Sequence, residues 1–446
     1  MKPKDYVRRY RKESYYQQLL EAIGCCLPGR GLPLQVSHGK IGWTPRMLVI
    51  CATLMGWCCS RTVQDRFDQA RTAVVGMYNS RKRPGKSYQE FVAALVKQSA
   101  ALLAVVCQAL QKRVGQVAGQ AWKVEGWLLF GADGSRIECP MTAANEGAFG
   151  CGGKKKTTPQ QYIVTLFHVG TGLIWAWRRG LARASERGLL REMLDLLPRG
   201  VLLLADAGFT GYDLLQEWIG RRIDFLIRVA RNVRLLKGLG YPVREYDDGI
   251  VYLWPEGKRK KGVDPLRLRL IVLHDGKKAV YLLTNVLEQE RLSDAQAGRF
   301  YRLRWGVELL YRALKQTLEH RKMLSDSPKR VEVELDWTMV GLWMLGLMSL
   351  AALRRDGYQL NAWSVARSLR VVRQAMDKGH RSHRQGGLRQ GLARCVKDEY
   401  RRTSSKKARH WPHKKTEQTP GAPQIRMAEP AEVLLGQQLR ERRCVA

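Results

Sequence analysis

The chain has 446 residues, enough for about three domains, and 45% of them are hydrophobic, which excludes wholesale disorder. Lys and Arg number 77 against 40 Asp and Glu, a net charge of +37. An excess of that size opposes a compact fold by self-repulsion unless a polyanion neutralises it, so nucleic acid or an anionic membrane is the expected partner. The ten Cys include no Cys-x-x-Cys pair, and Cys25-Cys26 and Cys58-Cys59 are adjacent doublets, a poor geometry for a zinc knuckle or a disulfide framework. Reduced, buried thiols in a cytoplasm are expected instead.

In chain order, Met1 to Lys12 is basic and no apolar run follows it, so no signal peptide is expected. Residues 1–118 read as a helical domain, with helically spaced apolar residues over Leu48–Trp57 and Phe91–Leu110 around a basic segment, Arg61–Lys86. Such a domain is either a DNA-end reader or an ordinary helical domain with a solvated basic face. Residues 119–230 read as the first part of an α/β core. Trp127–Asp133 is a short apolar run ending in an acid, followed by a Gly- and Lys-rich loop with Lys154, Lys155 and Lys156. Gln161–Arg178 reads as a hairpin turning at Gly170–Gly172, and Ser185 can cap a helix over Glu186–Leu197. Val201–Asp206 is a second apolar run ending in an acid; both runs resemble strands covered on two faces. Tyr212–Arg221 reads as helix and Asp224–Ala230 as strand.

Residues 231–290 are strand-rich, with a hairpin turn at Asp275-Gly276. Residues 291–377 contain a long helix opened by the capping box Ser293-Asp-Ala-Gln296 and running to about Glu319, then Trp337–Leu353. That last run of 17 residues is at the lower limit for a membrane span; flanked by charge and without a second such segment, it reads as a helix buried in a large core, and no membrane partner is expected. Residues 378–446 read as a basic, flexible tail, in which His380, His383, His410 and His413 lack metal spacing.

The chemistry concentrates in the acids. An ionised carboxylate at the end of a buried strand needs a cation or a metal beside it. Two such strands, ending in Asp133 and Asp206, place carboxylates at one sheet edge, where divalent metal relieves their repulsion. Oxygen donors without His or Cys suit Mg²⁺ or Mn²⁺, and two such ions about 4 Å apart serve phosphodiester chemistry. Taken singly, each Asp is as well read as a cap or turn residue. Tyr301, Arg304, Glu308 and Lys315 would fall within an arc of roughly 60° on a continuous helix. That face suits a phosphate chain beside a metal, or a solvated face with i,i+4 pairs such as Glu308–Arg312.

The pattern Tyr-x2-Arg-x3-Glu-x6-Lys formed by these four residues resembles the signature of DDE transposases of bacterial insertion sequences, in the group named for insertion sequence four. Ala132-Asp133-Gly-Ser-Arg-Ile-Glu-Cys-Pro140 resembles that family's first-acid motif, with Ser135 where Thr is common, and Leu204-Ala-Asp206-Ala-Gly-Phe-Thr-Gly-Tyr212 resembles its second. The resemblance covers about residues 125–355. It implies a mixed-sheet ribonuclease H-like core with a strand-rich insertion between the second Asp and the Glu. It further implies Asp133, Asp206 and Glu308 as catalytic metal ligands for two Mg²⁺ or Mn²⁺ ions, and cut-and-paste transposition by strand cleavage and strand transfer at terminal inverted repeats.

The implied partners are double-stranded DNA, both terminal repeats and target, and a second copy in a synaptic homodimer; the implied place is the bacterial nucleoid. DNA contacts are expected at Tyr301, Arg304 and Lys315, at Lys154–Lys156 and at Arg228. A flipped base would stack on Tyr281 or Trp254; gapless comparison puts Val280, not an aromatic, at the family's stacking position, so a hairpin intermediate does not follow. Two other readings compete: a transposase-derived DNA-binding protein without catalysis, and a structure-specific nuclease.

Overall fold

A computed structural model describes residues 13–29, 32, 42–78, 83–152, 158–240, 249–275, 278–381, 387–397 and 421–445. They fall into two compact units, one formed within 1–122, 134–185 and 308–398, the other within 123–133, 186–307 and 399–446. The strand β1 (Leu128–Glu138) contributes its first half to the second unit and its last five residues to the first.

The first unit opens with helices α1 (Tyr15–Gly24), α2 (Pro45–Trp57), α3 (Val63–Met77) and α4 (Tyr88–Ala118). Each starts at a hydroxyl residue, Ser14, Thr44, Thr62 or Ser87, whose side chain accepts a backbone N–H of the first turn. After β1 come α5 (Ala143–Phe149), β2 (Gln160–His168) and β3 (Leu173–Leu181). The hairpin turns where the glycines predicted it: Gly172 has φ +69°, and a Cβ on Gly170 would lie 1.9 Å from the Ala121 carbonyl oxygen.

The second unit carries α6 (Glu186–Arg191), β4 (Val201–Ala205), α7 (Tyr212–Gly220), β5 (Asp224–Arg228), β6 (Arg234–Lys237), β7 (Ile250–Leu253), α8 (Glu256–Arg259), β8 (Leu266–Asp275), β9 (Lys278–Thr284) and α9 (Asp294–Leu303). The chain re-enters the first unit at Glu308, within α10 (Gly306–Arg312), and continues with a π-helical turn over Ala313–Thr317, α11 (Pro328–Arg355), α12 (Val365–Lys378) and α13 (Gly387–Ala393). Finally β10 (Gln424–Met427) and α14 (Pro430–Val445) belong to the second unit.

Within the second unit the strand order is β10-β6-β7-β8-β9-β5-β4-β1, and β2 and β3 continue it from the shared strand β1. The five core strands therefore stand in the order 3-2-1-4-5, with β1, β4 and β5 parallel and β2 and β3 antiparallel. That is the ribonuclease H-like order expected from the resemblance, here in a ten-stranded mixed sheet. β6 to β9 form the strand-rich insertion, which joins the core through antiparallel pairing of β9 with β5.

The apolar run Trp337–Leu353 is the buried centre of α11, packed against α2 and α4 in the first unit. Glycines permit the close approach: a Cβ on Gly56 would sit 3.3 Å from the Thr338 Cα, and Trp57 Nε1 donates to the Gly341 carbonyl at 2.9 Å. Two helices among the described residues are long and apolar enough to cross a membrane; the apolar window of the one ending at Arg355 is 94% buried, that of the one beginning at Tyr88 33%.

His320, wholly buried, ties α3 to the loop after the π turn. Its Nε2–H donates to the Gly56 carbonyl at 3.2 Å and its Nδ1 accepts from Arg66 Nη1 at 3.2 Å. Burial first, then the Arg66 charge, push its pKa down to about 3. The unfolded imidazole titrates near 6.5, so between those values only the unfolded chain binds the proton and stability falls with pH by about 1.4 kcal/mol per unit. Chemical denaturation should show full stability above pH 7 and a steep loss from 6.5 downward, with a shallower slope in His320→Gln. An identical slope in the variant would remove His320 as a source of acid lability.

Three features depart from the sequence reading. The helix expected over Glu186–Leu197 stops at Arg191 and gives way to a 3₁₀ turn at Leu194–Leu196. The long helix expected from Ser293 to Glu319 keeps its capping box but breaks: Arg304 caps α9, a turn covers Arg304-Trp305, and α10 restarts at Gly306. The four signature residues are therefore shared among α9, the turn, α10 and the π-helical turn. The stretch read as a flexible tail contains α13, β10 and α14, because Leu388, Leu392 and Leu439 are buried; residues 398–420 lie outside the described residues.

Candidate active site

Parallel pairing sets the two aspartates level. Leu128 pairs with Val201 and Gly131 with Leu204, and the same offset carried two residues further brings Asp133 opposite Asp206. Adjacent strands lie about 4.8 Å apart, so Asp133, midway along β1, comes level with Asp206, the residue that follows the end of β4. The strands are apolar up to that point: Leu129, Phe130, Ala132 and Leu202 to Ala205 are all buried. The carboxylates are where the chain first meets water.

Asp206 ends β4 in an extended conformation and caps the 3₁₀ turn Ala207–Phe209, its Oδ1 accepting from Gly208 N at 2.8 Å. Asp133 has Arg304 Nη1 3.9 Å from its Oδ2. The Arg304 guanidinium lies 5.6 Å from the centre of the Tyr301 ring. Burial holds the Tyr301 phenol above its ordinary pKa, Asp206 adds to the rise, and Arg304 and Arg228 oppose it. Arg228 ends β5, the next parallel strand, and its carbonyl accepts from Thr210 Oγ1 at 3.2 Å. The second unit thus carries Asp133 on β1, Asp206 and Arg228 at the carboxyl ends of β4 and β5, and Tyr301 and Arg304 at the end of α9: two acids, two guanidiniums and a phenol.

Glu308 and Lys315 belong to the first unit, Glu308 in the first turn of α10 and Lys315 in the π turn. Lys315 Nζ donates to Ser135 Oγ at 2.7 Å. Desolvation and then the Arg321 charge push its pKa down, with Glu138 opposing. The hydroxyl of Ser135, kept where Thr is common, anchors the signature lysine to β1. Among the described residues no three His, Cys, Asp or Glu side chains gather tightly enough to hold an ion.

The remaining sequence candidates divide. Lys154, Lys155 and Lys156 lie outside the described residues. Trp254 is 3% exposed and its Nε1 donates to the Val263 carbonyl, so it packs in the apolar cluster of the insertion and has no face for a base. Tyr281 is half-buried on β9 and its carbonyl accepts from Val229 N at 3.0 Å. Sequence reasoning passed over Trp305, which is 57% exposed in the turn beside Arg304. A large aromatic next to the signature arginine was a signal for it, masked by the assumption of a continuous helix.

Comparison with known proteins finds three similarities. The family described as "Transposase DDE domain" matches residues 130–344. The transposase InsG of insertion sequence element IS4 from Escherichia coli K12 is 27% identical over 223 residues, 47% of this chain and 49% of the relative; the chain thus spans about half the length of that protein. The structure is similar, with a TM-score of 0.42 and 12% identity, to a piggyBac transposase in a synaptic complex with hairpin DNA, over 87% of this chain and 85% of that one. On the matched segment, residues 130–344, and on its relative in the insertion sequence four group, this chain is similar to the DDE transposases.

Proposed function

We propose that the chain is the transposase of a bacterial insertion sequence, cutting DNA at terminal inverted repeats and joining the freed strands to target DNA. The observation that carries this reading is the level pair of carboxylates on β1 and β4, beside Arg304 and Tyr301. Two like charges on adjacent strands repel unless a cation lies between them.

The donor set fits a hard divalent cation, since it offers carboxylate oxygen with no imidazole or thiolate. Asp133 and Asp206 would hold it, with Glu308 a third donor by family pattern; Mg²⁺ or Mn²⁺, one ion or two, would supply an activated water and charge neutralisation at the phosphodiester. Arg304 has the planar fork to grip a phosphate next to Asp133, and Arg228 and Tyr301 line the same strand ends. Lys315, set by Ser135, adds a point charge for a neighbouring phosphate. The exposed ring of Trp305 is a better platform for an unstacked base than Tyr281 or Trp254. Two copies would synapse two ends, at the nucleoid where such elements lie.

The test uses the full-length protein with Mg²⁺ and a labelled duplex carrying the element's own terminal repeat. The expected product is a nick at the repeat boundary, absent with a scrambled end. Equal cutting of both duplexes would favour a structure-specific nuclease, and binding without cutting would favour a DNA-binding derivative.

A further inference from the structure

The turn after the second acid is held from outside the sheet by the first turn of α6. Arg187 Nε donates to the Gly208 carbonyl at 2.7 Å. Its Nη1 occupies the space 2.7 Å from where a Cβ on Gly211 would stand. On the other side of the turn, a Cβ on Gly208 would meet Asp206 Oδ1 at 2.9 Å and Glu186 Oε2 at 3.3 Å. A Cβ at either glycine of Asp206-Ala-Gly-Phe-Thr-Gly211 would thus displace side-chain tips, Asp206 and Glu186 at Gly208 and Arg187 at Gly211.

This matters because Asp206 is bonded to the same residue, through the peptide on its other side. Its Oδ1 accepts from Gly208 N while the carbonyl of Gly208 takes the guanidinium. The orientation of the Asp206 carboxylate is thus set by the plane of the peptides around Gly208. The turn is also held by its own backbone bonds, Phe209 N to the Asp206 carbonyl and Thr210 N to the Ala207 carbonyl at 3.3 Å each, by the buried Phe209 ring and by the Thr210 hydroxyl on the Arg228 carbonyl, but none of these takes the Gly208 carbonyl. Among the described contacts, Arg187 alone fixes the Gly208 carbonyl.

We infer that Arg187 is a positioning residue for Asp206: by holding the Gly208 carbonyl it aims the carboxylate of the second acid, with Glu186 beside it. The inference rests on the reading of Asp206 as a metal ligand. Arg187 neither binds the ion nor touches the reacting phosphate in this role. Groups that orient a metal ligand typically change metal affinity or activity 10- to 100-fold when removed, although they make no bond to the ion.

The experiment measures Mn²⁺ binding to the full-length protein without DNA, by electron paramagnetic resonance of free Mn²⁺, for wild type, Arg187→Ala, Arg187→Lys and Gly208→Ala. Cleavage of terminal-repeat DNA is then followed against Mg²⁺ concentration. The expected result is an Mn²⁺ Kd raised about tenfold in Arg187→Ala and in Gly208→Ala, with the Mg²⁺ needed for half-maximal cutting raised in parallel. Arg187→Lys should recover only part of the loss, because an ammonium lacks the directed Nε–H. Arg187 is exposed, so the melting temperature without metal should match wild type and separate aiming from folding.

Unchanged Mn²⁺ affinity in Arg187→Ala overturns the inference, as does complete recovery by Lys. Failure of Asp206→Ala itself to weaken Mn²⁺ binding would instead overturn the reading of Asp206 on which the inference stands.

Discussion

Asp206→Ala is expected to abolish strand cleavage, by at least about 10³-fold, while terminal-repeat DNA is bound as tightly as before. The magnitude follows from losing one of the carboxylates that would hold the ion: charge stabilisation by a metal is worth several kcal/mol, and each 1.36 kcal/mol is tenfold in rate. Binding should survive because cationic side chains grip the phosphates and Asp206 makes no contact of that kind. Asp133→Ala should behave alike, and Glu308→Gln should show the same separation if the family pattern holds.

A second reading discriminates catalysis from folding. Asp206 stands level with Asp133, and removing one of two adjacent like charges relieves repulsion. Loss of the cap on Gly208 N opposes that relief, so the melting temperature of Asp206→Ala without metal should stay close to that of wild type. Gel assays of cutting and mobility shift, with thermal denaturation, give all three quantities. Asp206→Ala protein that cuts within tenfold of wild type would mean that the site is elsewhere.

The second large effect is structural. In the first unit, Asp336 on α11 is 6% exposed and its Oδ1 accepts from Arg179 Nε at 2.8 Å and Trp177 Nε1 at 2.8 Å. Arg179 also reaches Glu332 at 3.1 Å. Desolvation holds the Asp336 carboxyl above its ordinary pKa, with Arg179 and Trp177 pulling it back. Arg179→Met strips the buried carboxylate of its counter-charge and should cost about 3 kcal/mol.

The sign of its pH dependence follows from the same group. With the guanidinium gone, the folded pKa of Asp336 climbs further above the unfolded value. The folded carboxyl then takes up a proton more readily than the unfolded chain, so the deficit is smallest in acid and grows as pH rises through that raised pKa. Urea denaturation at pH 5 and pH 8 should show the larger gap at pH 8, and Asp336→Asn added to Arg179→Met should narrow it. A pH-independent gap would assign the loss to packing of the arginine stem.

Much of the core was legible because burial on both faces leaves a mark in one dimension. Trp127–Asp133 and Val201–Asp206 are apolar runs stopped by an acid, and strands that change abruptly from interior to water must look so. The hairpin at Gly170–Gly172 and the capping box at Ser293–Gln296 were readable for the same local reason, since a turn and a helix start each need particular side chains. What escaped was decided by partners distant in sequence. The apolar spacing of Ser293–Glu319 stays helical through Arg304-Trp305, so nothing in the period announces a break. The anchoring of Lys315 by Ser135 joins residues 180 positions apart. Leu388, Leu392 and Leu439 are isolated apolar residues in a charged background, and only the surfaces they meet explain their burial.

β10 pairs in parallel with β6 from Gln424–Arg234 to Met427–Lys237, and Leu439 of α14 completes the apolar cluster of Leu236, Leu239, Ile250, Tyr252 and Trp254. The insertion thus receives its outermost strand from a segment translated nearly two hundred residues later. At about 5–20 residues per second, the ribosome leaves that edge uncovered for roughly ten to forty seconds on every round of synthesis. During this interval the nascent insertion offers an unsatisfied backbone to any neighbouring polypeptide. A premature stop before β10 would make that vulnerability permanent, so prematurely terminated products should be cleared by proteolysis or aggregate while the finished chain does neither.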